Sequence, residues 1–304
     1  MNPKFPVFVP TKGRADSRLT IKMFDRLKVP YTIFIEAQEL DAYSAHVAPE
    51  RIHVLPHRDK GVTVTRNYIW DYADKIGAIR YWTFDDNIDG LYRFNHNLKT
   101  PCADGTILAV VEDFAERYEN VAITGLNYFM FVKRKYVIPP YILNTRVYSA
   151  MLIRTKIEDS EGQLLRWVTF FNEDTDLCLR VLKAGWATVL FNAFLIYKQT
   201  TMTMKGGNSE FYAATDKRKE FVEELIKHHP DCVQLTEKWG RWHHHVDYSG
   251  FKQQLKRKPG VAIPNCVNNF GMVLQERFGT EWQTSLSNFA DLQSPQTPLT
   301  SIPK

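Results

Sequence analysis

Short apolar runs alternate with amphipathic stretches along the first two hundred residues, and the period of the apolar positions switches between them. Residues 5–9 are an apolar run closed by Pro10, Thr11-Lys12-Gly13-Arg14 makes a polar turn, and 19–27 keep helical spacing. Two more strands are expected at 31–35 and 51–55. Ile69, Tyr72, Ala73 and Ile76 hold a helical register just before the aromatic run Tyr81-Trp82-Thr83-Phe84, which stops abruptly at Asp85. This β-α-β-β-α-β order predicts a Rossmann-like α/β fold: a mostly parallel central sheet with helices on both faces and ligands at the carboxyl ends of the strands. Pro10 to Arg14, Glu36 and Asp85 to Asn87 fall on that edge.

Further along, Ile107, Val111, Phe114 and Tyr118 recur at i, i+4, i+7 and i+11, an amphipathic helix. Strands are expected at 121–124, 128–132, 147–153 and 167–171, with Pro139-Pro140 in a connecting loop. A helix over 174–183 stops at Ala184-Gly185, where glycine suits the left-handed C-terminal position. Strands at 187–191 and 194–197 follow, then a helix over 217–228 ended by Pro230. No internal repeat is present. From Pro259 the periodicity lapses, and the last dozen residues, rich in Ser, Thr, Pro and Gln, read as a loose tail. The chain thus divides into an α/β domain over 1–250 and a C-terminal extension over 251–304.

A hydrophobic share of 44% and a charged share of 24% over 304 residues suit a soluble protein with a full core. No run approaches the roughly 18 apolar residues of a membrane span, and the start, Met1-Asn2-Pro3-Lys4-Phe5-Pro6, lacks the apolar core of a signal peptide, so a cytoplasmic location is expected. Cys102, Cys178, Cys232 and Cys266 are too scattered for a zinc site or a disulfide framework. The net charge of +5 favours a polyanionic partner. The stretch 238–258 sets Lys238, Arg241, Lys252, Lys256, Arg257 and Lys258 against the single acid Asp247, interleaved with Trp239, Trp242, Tyr248 and Phe251. Cations mixed with stacking surfaces are what nucleic-acid grooves use; a solvated basic face has the same composition.

The candidate chemistry lies in two acidic motifs. Asp85-Asp86-Asn87, at the end of an apolar strand, suits a hard divalent cation, which needs only one or two carboxylates plus substrate phosphates; an ordinary Asp/Asn turn reads the same way. Asn172-Glu173-Asp174-Thr175-Asp176 opens a helix, where acids suit proton transfer or simply favour the helix dipole, with Asn172 as a possible N-cap. Between them, Gly61-Val62-Thr63-Val64-Thr65-Arg66-Asn67 leads into a helix and brings a guanidinium toward the sheet edge.

Taken in order, these motifs resemble the nucleotide-sugar-dependent GT-A glycosyltransferases, particularly the inverting family 2 group. Val9-Pro10-Thr11-Lys12-Gly13-Arg14-Ala15-Asp16, Arg66-Asn67, Phe84-Asp85-Asp86-Asn87-Ile88, Glu173-Asp174-Thr175-Asp176 and Thr201-Met202-Thr203-Met204-Lys205-Gly206-Gly207-Asn208 resemble more closely the TET-associated glycosyltransferase family. Its members, mostly from bacteriophages, are linked to sugar addition on 5-hydroxymethylpyrimidines in DNA. The resemblance implies a GT-A fold and a UDP-sugar donor held by Pro10, Thr11, Arg14, Glu36, Arg66, Asp85, Lys205, Gly206 and Gly207. It also implies Mn²⁺ or Mg²⁺ on Asp85, Asp86 and Asn87, with His243 or His245 of Trp242-His243-His244-His245 as a late ligand; DNA contact or solvent exposure would serve those histidines equally. Asp174 is implied as the general base, with Glu173 and Asp176 the neighbours most easily confused with it. The acceptor is then DNA carrying 5-hydroxymethylcytosine or a related base, met by Trp239, Arg241, Trp242, Lys256, Arg257 and Lys258. Asn87 departs from the family 2 pattern, standing where the last metal-binding aspartate is expected. Two other readings remain: transfer to a cell-surface glycan or lipid carrier, and a non-catalytic DNA-binding module.

Overall fold

In the computed structural model, which describes residues 1–95, 97–134, 138–199, 217–238 and 240–261, the apolar runs assemble into a ten-stranded sheet. Its strands are β1 Val7–Pro10, β2 Thr32–Ile35, β3 Ile52–Val54, β4 Arg80–Phe84, β5 Ile88–Asn95, β6 Leu98–Pro101, β7 Val121–Tyr128, β8 Tyr141–Leu143, β9 Ala150–Arg154 and β10 Ala187–Lys198. They lie in the order β3-β2-β1-β4-β9-β7-β10-β5-β6, with β8 paired to β10. Strands β1 to β4, β6, β7 and β10 point one way; β5, β8 and β9 run against them. This is the mostly parallel α/β sheet expected of a GT-A-like fold.

Strand β4 is buried along its whole length, and its three aromatic residues show why. Side chains alternate across a sheet. Tyr81 turns to Trp70 of α3 (Val62–Lys75), with ring centroids 6.0 Å apart, whereas Trp82 donates to Glu112 of α4 (Thr106–Glu116) at 2.9 Å and Phe84 meets Phe24 of α1 (Leu19–Leu27) at 5.0 Å. Both faces are covered by helices, so large apolar side chains are needed on each, and the buried Arg80 at the start of the strand is neutralised by Glu116 at 2.8 Å. On the α3 face the core continues through Leu177, Cys178 and Val181 of α5 (Glu173–Lys183). The short α2 (Leu40–Ser44) follows β2, and α6 (Arg218–His228) packs on a separate hairpin of β11 (Val233–Lys238) and β12 (Arg241–Val246). Met1–Lys258 is one compact unit, and Pro259–Lys304 separates as a second.

Several expected elements are corrected. The run 167–171 is no strand: the backbone N–H and carbonyl of Trp167 are both bonded, at 2.9 Å, by the side-chain amide of Asn67, which stands in for a neighbouring strand. β7 ends at Tyr128, because the Phe131 N–H folds back onto the Tyr128 carbonyl. The two strands expected over 187–197 are one, β10, whose pairing with β7 shifts register between Phe191 and Leu195. β5, β6, β8 and the β11–β12 hairpin were not legible as strands.

Candidate active site

The carboxyl ends of β1, β4, β7 and β10 and the start of the reversed β9 meet along one edge, where they deliver Thr11, Asp85, Tyr128, Lys198 and Ser149. Thr20 of α1 pins the turn after β4, donating its hydroxyl to the Asp85 carbonyl (2.7 Å) and accepting the Ile88 N–H (2.9 Å). The Asp85 carboxylate thus faces three donors: Arg66 Nη2 at 3.1 Å on Oδ1, and Ser149 Oγ and Lys198 Nζ, each at 2.7 Å, on Oδ2. Burial opposes its ionisation, but Lys198 and then Arg66 outweigh burial and hold the carboxyl down at about 2. Asp86 turns the other way. Its Oδ2 accepts from Thr11 Oγ1 (2.8 Å) and its Oδ1 is paired with Arg14, yet burial pushes its pKa up.

Arg66 joins this cluster to the second acidic motif. Gly61, at φ 88, opens α3 with backbone that other residues rarely adopt, and one turn later the Arg66 guanidinium lies between Asp85 and Glu173 Oε1 (3.5 Å), stacked 4.6 Å from Trp167. Its Nε and Nη1 are buried with no hydrogen-bond partner among the described residues. Burial, reinforced by Asp174 and Asp85 and opposed by Arg66, pushes Glu173 up to about 7. Asn172 occupies the N-cap position of α5 in a left-handed conformation without a side-chain cap. Asp174 does the capping instead. Its Oδ1 accepts from Thr175 N (2.7 Å) and Thr175 Oγ1 (3.3 Å), and no described residue bonds Oδ2.

Asp176 is separated from these acids by its surroundings: it is 0% exposed and bound by His229 at 3.0 Å and Arg180 at 2.8 Å, a buried structural network. Beside Asp174 lie Arg146, whose Nη1 is 3.3 Å from both Thr175 Oγ1 and His244 Nε2, and Tyr148, stacked under that guanidinium at 4.7 Å. The charge of Asp174 is among the influences felt by Arg146, Tyr148, Tyr128 and His244. Burial and then Arg146 push His244 down to about 4, so its ring is neutral at neutral pH. Because β12 alternates, His243 and His245 lie on the opposite face of the hairpin from His244. The histidine that turns to the acids is therefore His244.

Of the other donor-side expectations, Thr11 and Arg14 reach Asp86 directly. Glu36 is buried, where it accepts the Asp59 N–H at 3.0 Å and pairs with Lys12 at 2.9 Å. Lys205, Gly206 and Gly207, like Trp239, lie outside the described residues. The basic segment does not form one surface. Arg241 and Trp242 sit on the hairpin, whereas the Lys256 backbone accepts from the Glu119 N–H and donates to the Asn120 side chain, Arg257 bridges Tyr118, and Lys258 pairs with Glu116, all at the amino end of β7. That end is roughly 25 Å, the length of β7, from the acids. A cleft lined by Asp74, Arg80, Glu116, Arg154 and Lys258 lies at the same remote edge.

The oxygen donors fit a hard cation. Asp85 and Asp86 are consecutive at a strand end, and next to them Asn87 Oδ1 is buried without a hydrogen-bond partner, an acceptor awaiting a donor or an ion. Among the described residues no cluster of three or more His, Cys, Asp or Glu side chains is poised for a metal; a hard cation such as Mg²⁺ is commonly held by one or two carboxylates plus substrate phosphates. Sequence reasoning missed Lys198, Ser149, Arg146 and Tyr128. Lys198 closes an apolar run and carries no motif; only the topology, which ends β10 beside β5, brings it to Asp85.

The model of the family described as TET-Associated Glycosyltransferase matches residues 5–207. No curated protein matches the chain. Among solved structures, the crystal structure of A197 from STIV aligns at 13% identity and a TM-score of 0.38, over 64% of this chain and 85% of that one, too distant to bear on the site. No helix among the described residues is long and apolar enough to cross a membrane.

Proposed function

Because this chain belongs to the TET-associated glycosyltransferase family and is a glycosyltransferase, we propose that it moves a sugar from a UDP-sugar to a 5-hydroxymethylpyrimidine, 5-hydroxymethylcytosine first among them, in DNA. The observation that carries this reading is Arg66, which spans from the strand-end carboxylate Asp85 to the helix-start acids Glu173 and Asp174 and keeps two buried N–H donors unused. A cation-rich edge beside a carboxylate is what transfer from a diphosphate leaving group requires: positive charge where the leaving group gains negative charge, and a proton acceptor opposite.

Asp85, Asp86 and Asn87 would hold Mn²⁺ or Mg²⁺, which when bound supplies charge neutralisation for the departing UDP. Arg66 and Lys198 add to that neutralisation from the protein. Arg66 offers its unpartnered N–H groups to phosphate oxygens, and Lys198 is free to exchange Asp85 for the diphosphate. Thr11 and Arg14 support the ribose and uracil side. On the acceptor side, Asp174 Oδ2 takes the proton from the hydroxymethyl oxygen as that oxygen attacks the anomeric carbon, with inversion. Arg146 steadies the carboxylate, and neutral His244 adds no competing charge.

The test is UDP release from a panel of UDP-sugars with Mn²⁺, with and without hydroxymethylated DNA, followed by mass spectrometry of the nucleosides. Glycosylated nucleoside is the expected product. Transfer to simple glycans with none to DNA would overturn the acceptor assignment.

A further inference from the structure

The connection leaving β7 puts two large apolar side chains into solvent at the rim of the active-site edge: Met130 is 70% exposed and Phe131 56%. They are not loosely held. The Phe131 N–H bonds the Tyr128 carbonyl at 3.0 Å, and its ring packs on Tyr128 (5.1 Å) and Tyr148 (6.4 Å). Those tyrosines lead directly to the acids, since the Tyr128 hydroxyl lies 2.7 Å from Ser149 Oγ, the group that bonds Asp85, and Tyr148 lies under Arg146. On the other flank Phe129 meets Tyr92 (4.8 Å) and the exposed Tyr197 (5.6 Å) edge to face, with Lys99 4.3 Å over its ring. Lys133 and Arg134 follow on the exposed side of the same turn.

An exposed apolar tip, braced by aromatic rings and set among cations, matches a polyanion whose interior is a stack of flat apolar surfaces. Met and Phe are among the side chains that wedge between base steps, exposed rings stack on unpaired bases, and lysine and arginine meet phosphates. We propose that Met130 and Phe131 are a wedge that enters the base stack of the acceptor DNA, opening the duplex so that the modified base leaves the helix and comes to rest beside Tyr128, within reach of Asp174. This rests on the acceptor reading above and adds to it where the DNA docks, which is this rim and not Lys256 to Lys258 at the far edge. A base inside a duplex cannot reach an enzyme's reacting groups without leaving the stack, and the wedge supplies that step.

The full-length chain is tested with a duplex carrying one 5-hydroxymethylcytosine beside 2-aminopurine, whose fluorescence rises when its neighbour unstacks. The wild type should raise the signal; Met130→Ser/Phe131→Ser should not, and its ratio of duplex to free-nucleoside transfer should fall roughly tenfold or more, the scale of one lost base–aromatic stack. Phe131→Trp should keep both. An unchanged ratio in the double variant overturns the wedge, as does an equal loss on duplex and nucleoside, which would mark the turn as support for the fold. If the wild type glycosylates glycans and no DNA, the functional reading fails by itself. The wedge is then judged on 2-aminopurine in unmodified duplex: a rise abolished in the double variant upholds it, and no rise with the wild type overturns it.

Discussion

Replacing Lys198 with Met removes the cation on Asp85 while keeping most of the apolar stem. The pair is 2.7 Å apart, with side chains 15% and 23% exposed. Held at about 2 against an ordinary 3.8, the Asp85 carboxyl contributes about 2 kcal/mol to folding stability at neutral pH, at 1.36 kcal/mol for each tenfold change in proton affinity. Burial pulls the other way, so with only Arg66 and Ser149 left the carboxyl rises and most of that contribution is lost. A depressed carboxyl stabilises above its unfolded value and ceases to do so as pH falls through the folded one. The gap between wild type and Lys198→Met should therefore be about 2 kcal/mol at neutral pH, narrow below pH 4 and close near pH 2. Urea unfolding across that range measures it. A gap of constant size down to pH 3 would refute the electrostatic account and assign the loss to packing of the stem. Binding gives a second readout without turnover: freeing Asp85 should tighten Mn²⁺ binding and, without metal, weaken UDP binding, both seen by calorimetry.

Asp174→Asn keeps size and capping ability but not basicity, so donor affinity should hold while turnover falls by a factor of roughly 10² or more in steady-state kinetics. Asp176→Asn should do the reverse, leaving turnover per folded molecule intact and costing about 3 kcal/mol in denaturant titrations, because it strips a fully buried partner from His229 and Arg180. Glu173, raised to about 7, adds stability below its ordinary 4.5 and loses it as pH climbs through 7; ionising there also puts negative charge beside Arg66, so UDP affinity should weaken from pH 6 to 8 in the wild type and stay flat in Glu173→Gln. Asp86→Ala, whose carboxylate ends a strand outside the core, should abolish metal-dependent UDP-sugar binding with the far-ultraviolet circular dichroism unchanged, and chelation should do the same to the wild type.

The two acidic motifs of the site were legible because they depend on local signals. An apolar strand that stops at Asp85-Asp86-Asn87 and a helix that opens on Glu173-Asp174 carry their chemistry in adjacent residues, and the β-α-β order fixes which edge they occupy. What escaped needed the fold. Ser149 enters from β9, which runs against its neighbours and so presents its start, not its end, at the edge. Trp167 reads as strand because it is apolar and buried, but its backbone partner is a side chain, which no periodicity reveals. The basic segment 238–258 reads as one patch along the chain; in space the hairpin carries Arg241, and the amino end of β7 holds Lys256 to Lys258. Charge clustered in sequence need not cluster on a surface.

The reversal of β9 has a consequence for how such a protein can change. Residues 129–149 leave from β7 and return to β9, adjacent strands of the sheet, and they both depart and arrive at the carboxyl edge. New residues inserted there lengthen a tether whose anchor points stay fixed, and doubling its length carries a closure penalty of only about 0.6 kcal/mol. Thr11, Asp85 and Asp86 have no such slack, since each sits at or directly beyond the end of a buried strand. On the proposal above, the substrate that receives the sugar is met by a connection that can lengthen, and the one that gives it by strand ends that cannot. Diversification under selection should accordingly show as length change between Tyr128 and Ala150, with the strand ends of the parallel half left as they are.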